Sequence, residues 1–97
     1  MLDPRLNHVV AVAHGGSFTR AAEIVGLTQS GITKSIADLE RELGFAIFFR
    51  TSRGALMTEE GRDFVERAER LLDDARSLLQ GSRERGDPYA GPLRVGV

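Results

Sequence analysis

Apolar side chains recur at helical intervals in three successive stretches near the start of the chain. Leu6, Val9, Val10 and Ala13 follow Pro4, which suits the first turn of a helix, and Gly15-Gly16 closes that element. Ser17 can cap the next helix, whose face is Phe18, Ala21, Ala22 and Val25 and whose end is Gly26. Thr28 or its neighbour opens a third. Ile32, Ile36, Leu39 and Leu43 form its buried stripe, and Gly44 supplies a left-handed stop. A short helix, a glycine turn and a longer helix fit a helix-turn-helix. On pattern alone, a plain helical hairpin packed on another element fits equally.

Phe45 to Met57 reads as a small β-hairpin. Ile47, Phe48 and Phe49 form one strand, Ala55 to Met57 the other, and Ser52-Arg53-Gly54 the tip. A hairpin in this position would be the wing of a winged-helix domain, with Phe48 or Phe49 packed beneath it. Thr58 then caps a long helix with Glu59 and Glu60 in its positive first turn. Along this helix Phe64, Ala68, Leu71, Ala75 and Leu78 repeat in alternating steps of four and three, and Val65, Leu72 and Leu79 widen the stripe. Such a face suits a helix pair, so these eight residues are the expected dimerisation surface. Gly81 to Pro92 has linker composition, and Leu93 to Val97 alternates like a first strand. The expected fold is mainly α: a winged helix-turn-helix over residues 1–58, a linker and dimerisation helix over 59–80, then a hinge and strand over 81–97.

The net charge of −1 does not suggest a partner, but its distribution does. Residues 1–58 hold six basic and five acidic side chains, and two stretches, Ile24 to Ala37 and Leu43 to Thr58, contain no acid. They carry Lys34, Arg50 and Arg53. If both face one way, a local positive surface results despite the acidic total. The absence of Cys excludes disulfides, thiol nucleophiles and thiolate metal sites. His8 and His14 are too few for a histidine-based metal site, and Gly15-Gly16 is too short for a phosphate loop. No nucleophile–base constellation or carboxylate pair marks an enzyme, so no catalytic residue, metal or cofactor is expected within these residues. No apolar run reaches a membrane span, and Met1-Leu2-Asp3-Pro4 lacks signal-peptide character, so the cytoplasm is the expected compartment.

Beyond these patterns, the chain resembles a known family. Ser17-Phe18-Thr19-Arg20-Ala21-Ala22, Gln29-Ser30, Thr33-Lys34, Leu39-Glu40, Leu43-Gly44, Phe48, Arg50 and Thr58-x-x-Gly61 resemble the signature of LysR-type bacterial transcription regulators. The likeness covers about residues 2–80. Gly91 to Val97 also looks like that family's entry into its effector domain, an α/β periplasmic-binding-protein-like fold that would lie beyond these residues. Thr33 stands where the family usually has Ser, Met57 where it has Leu, and Ser35 where a longer amide is common. The last substitution bears on base preference. Molybdate-responsive regulators share a similar N-terminal domain, and the strand-like Leu93 to Val97 favours the LysR type.

The resemblance implies double-stranded DNA with an inverted-repeat operator, a homodimer with a tetramer open for the full-length protein, and a small-molecule effector. A helix fits the major groove, and Gln, Lys, Ser and Thr can bond base edges or phosphates. The expected DNA contacts are therefore Gln29, Ser30, Thr33 and Lys34 on the third helix, Arg50 and Arg53 at the wing, and Ser17, Thr19 and Arg20 on the second helix. Several have plainer alternatives: Ser17 and Thr19 as caps, Arg20 as a surface charge, and Arg50 as an anchor of the wing. Arg53 is favoured as the exposed wing contact. A winged helix used only for protein contact would carry an apolar or acidic third-helix face, which Gln29, Ser30, Thr33 and Lys34 do not provide.

Overall fold

Helix boundaries fall where side chains satisfy the backbone groups left unpaired at helix ends. A computed structural model describes residues 3–85, and the side chains of residues 3–80. The Asp3 carboxylate accepts the Arg5 N–H at 2.9 Å and starts α1, Pro4–Gly15. Ser17 accepts the Arg20 N–H at 3.0 Å and starts α2, Phe18–Val25. Thr28 accepts the Gly31 N–H at 3.0 Å and starts α3, Gln29–Leu43. Each of these three helices ends on a left-handed glycine whose N–H bonds back into the last turn.

The wing is an antiparallel pair, β1 (Phe48–Thr51) and β2 (Gly54–Met57), in the register Phe48 to Met57 and Thr51 to Gly54. Ile47, expected in the first strand, lies just before it. Its N–H goes to the Glu40 carboxylate at 2.7 Å, and its C=O accepts from the Thr58 N–H at 2.9 Å. The C=O bond continues the register of the pair, but the N–H that would return the second bond to Thr58 is taken by Glu40, so the ladder stops at Phe48. The same Glu40 oxygen accepts the Phe48 N–H at 3.1 Å, so one carboxylate ties the end of α3 to the start of the wing.

The long helix α4 spans Glu59–Arg85, so the first five residues of the expected hinge are helical, while the rest of that hinge and the expected strand Leu93 to Val97 lie outside the described residues. Thr58 starts it by accepting the Gly61 N–H at 2.9 Å while donating to Ala46 O at 2.6 Å. Helix and loop meet so closely here that a Cβ on Gly61 would stand 2.0 Å from Ile47 O. That neighbour is backbone and cannot rotate away. Gly61→Ala is expected to lower stability by between about 1 and 3 kcal/mol, read as a fall in urea midpoint without a change in slope. An unchanged midpoint would mean that the start of α4 yields freely.

The core joins the inner faces of α1, α2 and α3 to Ile47, Phe48 and Val65, with Val9, Val12, Ile32, Ile36 and Ile47 fully enclosed. Here the structure corrects part of the expected dimer surface. Val65 and Ala68 are each 4% exposed and buried within their own chain, and Phe64 packs edge-on to Phe45. The N-terminal half of the α4 stripe therefore serves the domain itself. Further along, Leu71, Leu78 and Leu79 are 47, 70 and 65% exposed, on a helix that helps draw the molecule out to 52 × 26 × 19 Å.

Polar links fasten α1 to its neighbours. Arg5 bridges Asp3 and Glu42, and His14 meets the Glu69 carboxylate of α4. His8 Nδ1 lies 2.7 Å from Ser35 Oγ on α3. Burial pushes the His8 imidazole below its ordinary pKa, opposed by the Asp3 carboxylate. Unfolded His8 therefore takes up its proton at a higher pH than folded His8. The stability from this site is present above the unfolded value of 6.5 and lost as pH falls through the folded one. In a His14→Gln background, the decline in urea midpoint between about pH 7 and pH 5 should become shallower on adding His8→Gln. Identical declines in both proteins would rule out this site as the source.

Candidate nucleic-acid interface

The outward face of α3 carries Gln29, Ser30, Thr33, Lys34 and Ala37 around a shallow open hollow. Geometry alone puts them there, since positions 29, 30, 33, 34 and 37 recur at helical steps opposite the stripe of Ile32, Ile36 and Leu39. A second hollow adjoins the first at Gln29. It is lined by Ser17 and Thr19 at the start of α2 and by Arg50 to Gly54 of the wing. The expected third-helix and wing residues thus lie on one continuous surface, with Ser17 and Thr19 beside them.

Within this surface the side chains differ in freedom. Arg50 is held. Its guanidinium carbon sits 3.9 Å from the centre of the Phe18 ring, and its Nη2 donates to Thr33 Oγ1 at 2.7 Å. Phe18 in turn meets Phe48 edge-on, with ring centres 6.0 Å apart. One arginine therefore joins the wing to the third helix across the first residue of α2. Arg53 stands at the exposed tip, where its backbone N–H is fixed by Thr51 Oγ1 at 3.1 Å, and among the described residues it has no acidic partner. Ser17 spends its hydroxyl as acceptor for the Arg20 N–H, in keeping with its reading as a cap, while Thr19 and Arg20 remain exposed.

Two further polar residues of α3 depart from what the sequence suggested. Ser35 turns to His8 on α1, away from the outward face, so its bearing on base preference through direct contact falls away. It follows Ile32 by three positions and precedes Leu39 by four, which sets it on the flank of the buried stripe. Asp38, one of the five acidic side chains of residues 1–58, stands between two cations. It accepts from Lys34 Nζ at 3.1 Å and from Arg41 Nη1 at 3.0 Å. The Lys34 ammonium, and after it the Arg41 guanidinium, hold its carboxyl below the ordinary carboxylate range. Spacings of four and three between opposite charges on one helix were a readable signal for this bridge.

The chemistry available is that of recognition. The surface offers amide, hydroxyl, ammonium and guanidinium groups on a convex helix with a projecting arm. Among the described residues no group of three or more His, Asp or Glu side chains could hold a metal ion, and no helix is long and apolar enough to cross a membrane.

The chain is similar to known proteins in sequence and fold. Residues 5–62 match the family described as "Bacterial regulatory helix-turn-helix protein, lysR family". The HTH-type transcriptional regulator YofA of Bacillus velezensis is 41% identical over 86 residues, which are 89% of this chain and 30% of that protein. The chain thus spans about 30% of the length of the curated relatives it matches. The crystal structure of the CbnR_DBD–DNA complex is similar with a TM-score of 0.78 and 32% identity, covering 89% of this chain and 99% of that one. The BenM_DBD/benA site 1 DNA complex gives 0.81 and 31%, covering 89% and 97%. The helix-turn-helix, the wing, the long helix and the sequence match agree, and the chain belongs to the lysR family of bacterial regulatory helix-turn-helix proteins.

Proposed function

We propose that this domain binds double-stranded DNA sequence-specifically, with α3 in the major groove and the wing against the minor groove or backbone. The observation that carries this reading is the continuous surface on which Gln29, Ser30, Thr33 and Lys34 adjoin Arg50 and Arg53. Polar α3 side chains suit base edges, and the arginines suit phosphate or a narrow groove. Structures of similar domains with DNA support the same partner.

Two copies pair through the exposed part of α4, using Leu71, Leu78 and Leu79, with Leu72 and Ala75 beside them. An exposed row of leucines on a projecting helix favours burial against a second copy. Twofold pairing presents two α3 helices to successive major grooves, so the operator holds inverted half-sites about one or two helical turns apart. In the full-length regulator a separate domain senses a small molecule, and the protein acts in the cytoplasm, where its DNA lies. The short share of its relatives that the chain spans supports this division.

Selection from a random pool of duplexes tests the reading. Retained fragments are expected to share an inverted repeat. A retained pool with no common sequence would contradict specific recognition.

A further inference from the structure

The bridge on α3 opposes the task just proposed. A surface that binds a polyanion carries a carboxylate beside its lysine, and that carboxylate engages two cations at once. We infer that Asp38 is a specificity-determining residue: by holding Lys34 and Arg41 against α3 in the free protein, it lowers affinity for DNA that offers only phosphates. The inference rests on the DNA-binding reading of α3 and adds a role that the reading does not contain.

The geometry supplies the mechanism. Lys34, Asp38 and Arg41 sit at positions i, i+4 and i+7 on one side of α3, and both cations are exposed while Asp38 lies half-covered between them. A phosphate recruiting Lys34 or Arg41 must compete with a carboxylate already in contact, and it also meets that carboxylate's own charge. Affinity for arbitrary DNA depends almost wholly on such phosphate contacts. A base edge places a different demand. An ammonium has three N–H donors, so Lys34 can keep one on Asp38 and direct another to guanine O6 or N7. The bridge therefore costs arbitrary DNA more than a matching site. It also limits where the Lys34 ammonium can swing before DNA arrives.

The chain contains a single lysine, Lys34, so charge effects at this position can be isolated. The test measures binding of the wild type, Asp38→Asn and Asp38→Glu to a selected operator and to a scrambled duplex across a sodium chloride series. Asp38→Asn should bind the scrambled duplex roughly tenfold tighter at moderate salt, with a salt slope steeper by about one per half-site. Affinity for the operator should rise less, so the ratio between the two duplexes falls severalfold. Asp38→Glu, which keeps the charge, should stay near the wild type. In a Lys34→Gln, Arg41→Gln background, Asp38→Asn should raise the scrambled affinity distinctly less than it does in the wild type, because the cations it would free are gone and only the carboxylate's own repulsion is removed; an equal rise in both backgrounds would overturn the inference.

Without DNA, the Asp38 carboxyl followed by NMR should titrate at higher pH in Lys34→Gln than in the wild type. An Asp38 titration unmoved by Lys34→Gln would show that the bridge does not form in solution and would overturn the inference. So would an Asp38→Asn protein with wild-type affinity and slope on scrambled DNA. Loss of operator binding alone would instead make Asp38 a base contact, accepting from a cytosine amino group. A wild-type chain that bound neither duplex would remove the DNA-binding reading itself, whereas wild-type binding with an idle Asp38 removes only this inference.

Discussion

Replacing Leu71 and Leu78 with glutamate is expected to leave the chain folded but monomeric, and to reduce affinity for a two-half-site operator by roughly 100-fold or more. The size follows from linkage between half-sites. Once one domain of a dimer is bound, the second meets its site at a high effective concentration, a gain that vanishes when the copies separate. The fold should survive because both leucines lie outside the enclosed core, at 47 and 70% exposure. Leu72 is a poorer target, since it lines a groove with Val10 and His14 of α1 in its own chain. Sedimentation should show the wild type as a dimer and the double variant as a monomer with the same helical circular dichroism. Affinity for a single half-site should hardly change. A variant that remained dimeric, or a monomer that held the full operator as tightly, would place the dimer contact elsewhere.

The second large effect is expected at Arg50. Arg50→Ala removes the guanidinium from the Phe18 ring and from Thr33 Oγ1, and with it the side-chain link between the wing and α3. DNA affinity should fall roughly tenfold per half-site, the scale of one charge-assisted hydrogen bond. Arg50→Lys separates the two available roles. Lysine keeps the charge but not the planar fork that stacks and donates in a fixed direction. If Arg50 acts chiefly by positioning Thr33 and the wing, the lysine variant should lose nearly as much as alanine and keep the salt slope of the wild type. If it acts chiefly as a charge toward phosphate, lysine should restore most of the affinity. The planar stacking on Phe18 favours the first outcome, and full rescue by lysine would refute it. Arg53 is the contrasting case: at the free tip, lysine should replace it with little loss.

Much of this was legible because helix ends declare themselves. Ser17, Thr28 and Thr58 carry hydroxyls that accept a backbone N–H at a helix start, and Gly16, Gly26 and Gly44 stand where a left-handed turn is needed. The polar face of α3 was visible for the same reason, since a buried stripe at steps of four and three leaves its opposite side determined. Periodicity could not name the partner of a stripe. Val65 and Ala68 continue the leucine pattern of α4 without a break, yet both are buried within their own chain, and the exposed leucines begin at Leu71. The wing starts one residue later than the pattern predicts because the Ile47 N–H goes to the Glu40 carboxylate, a side chain seven positions earlier that the alternation of a strand does not contain. The sequence leaves Arg50 open between anchor and contact, because the ring it stacks on stands 32 positions earlier in the chain.

Whether α3 and the wing face DNA is decided by an NMR titration of the labelled chain with a selected operator duplex, following backbone amides and the single lysine ammonium. The amides of Gln29, Ser30, Thr33 and Lys34, the Lys34 Nζ signal and the Arg53 amide are expected to move together and saturate at one half-site per chain. The amides around Glu66, Arg67 and Arg70 on the exposed side of α4 should stay in place. Shifts gathered on α4 or α1 while α3 and the wing remained still would contradict the account.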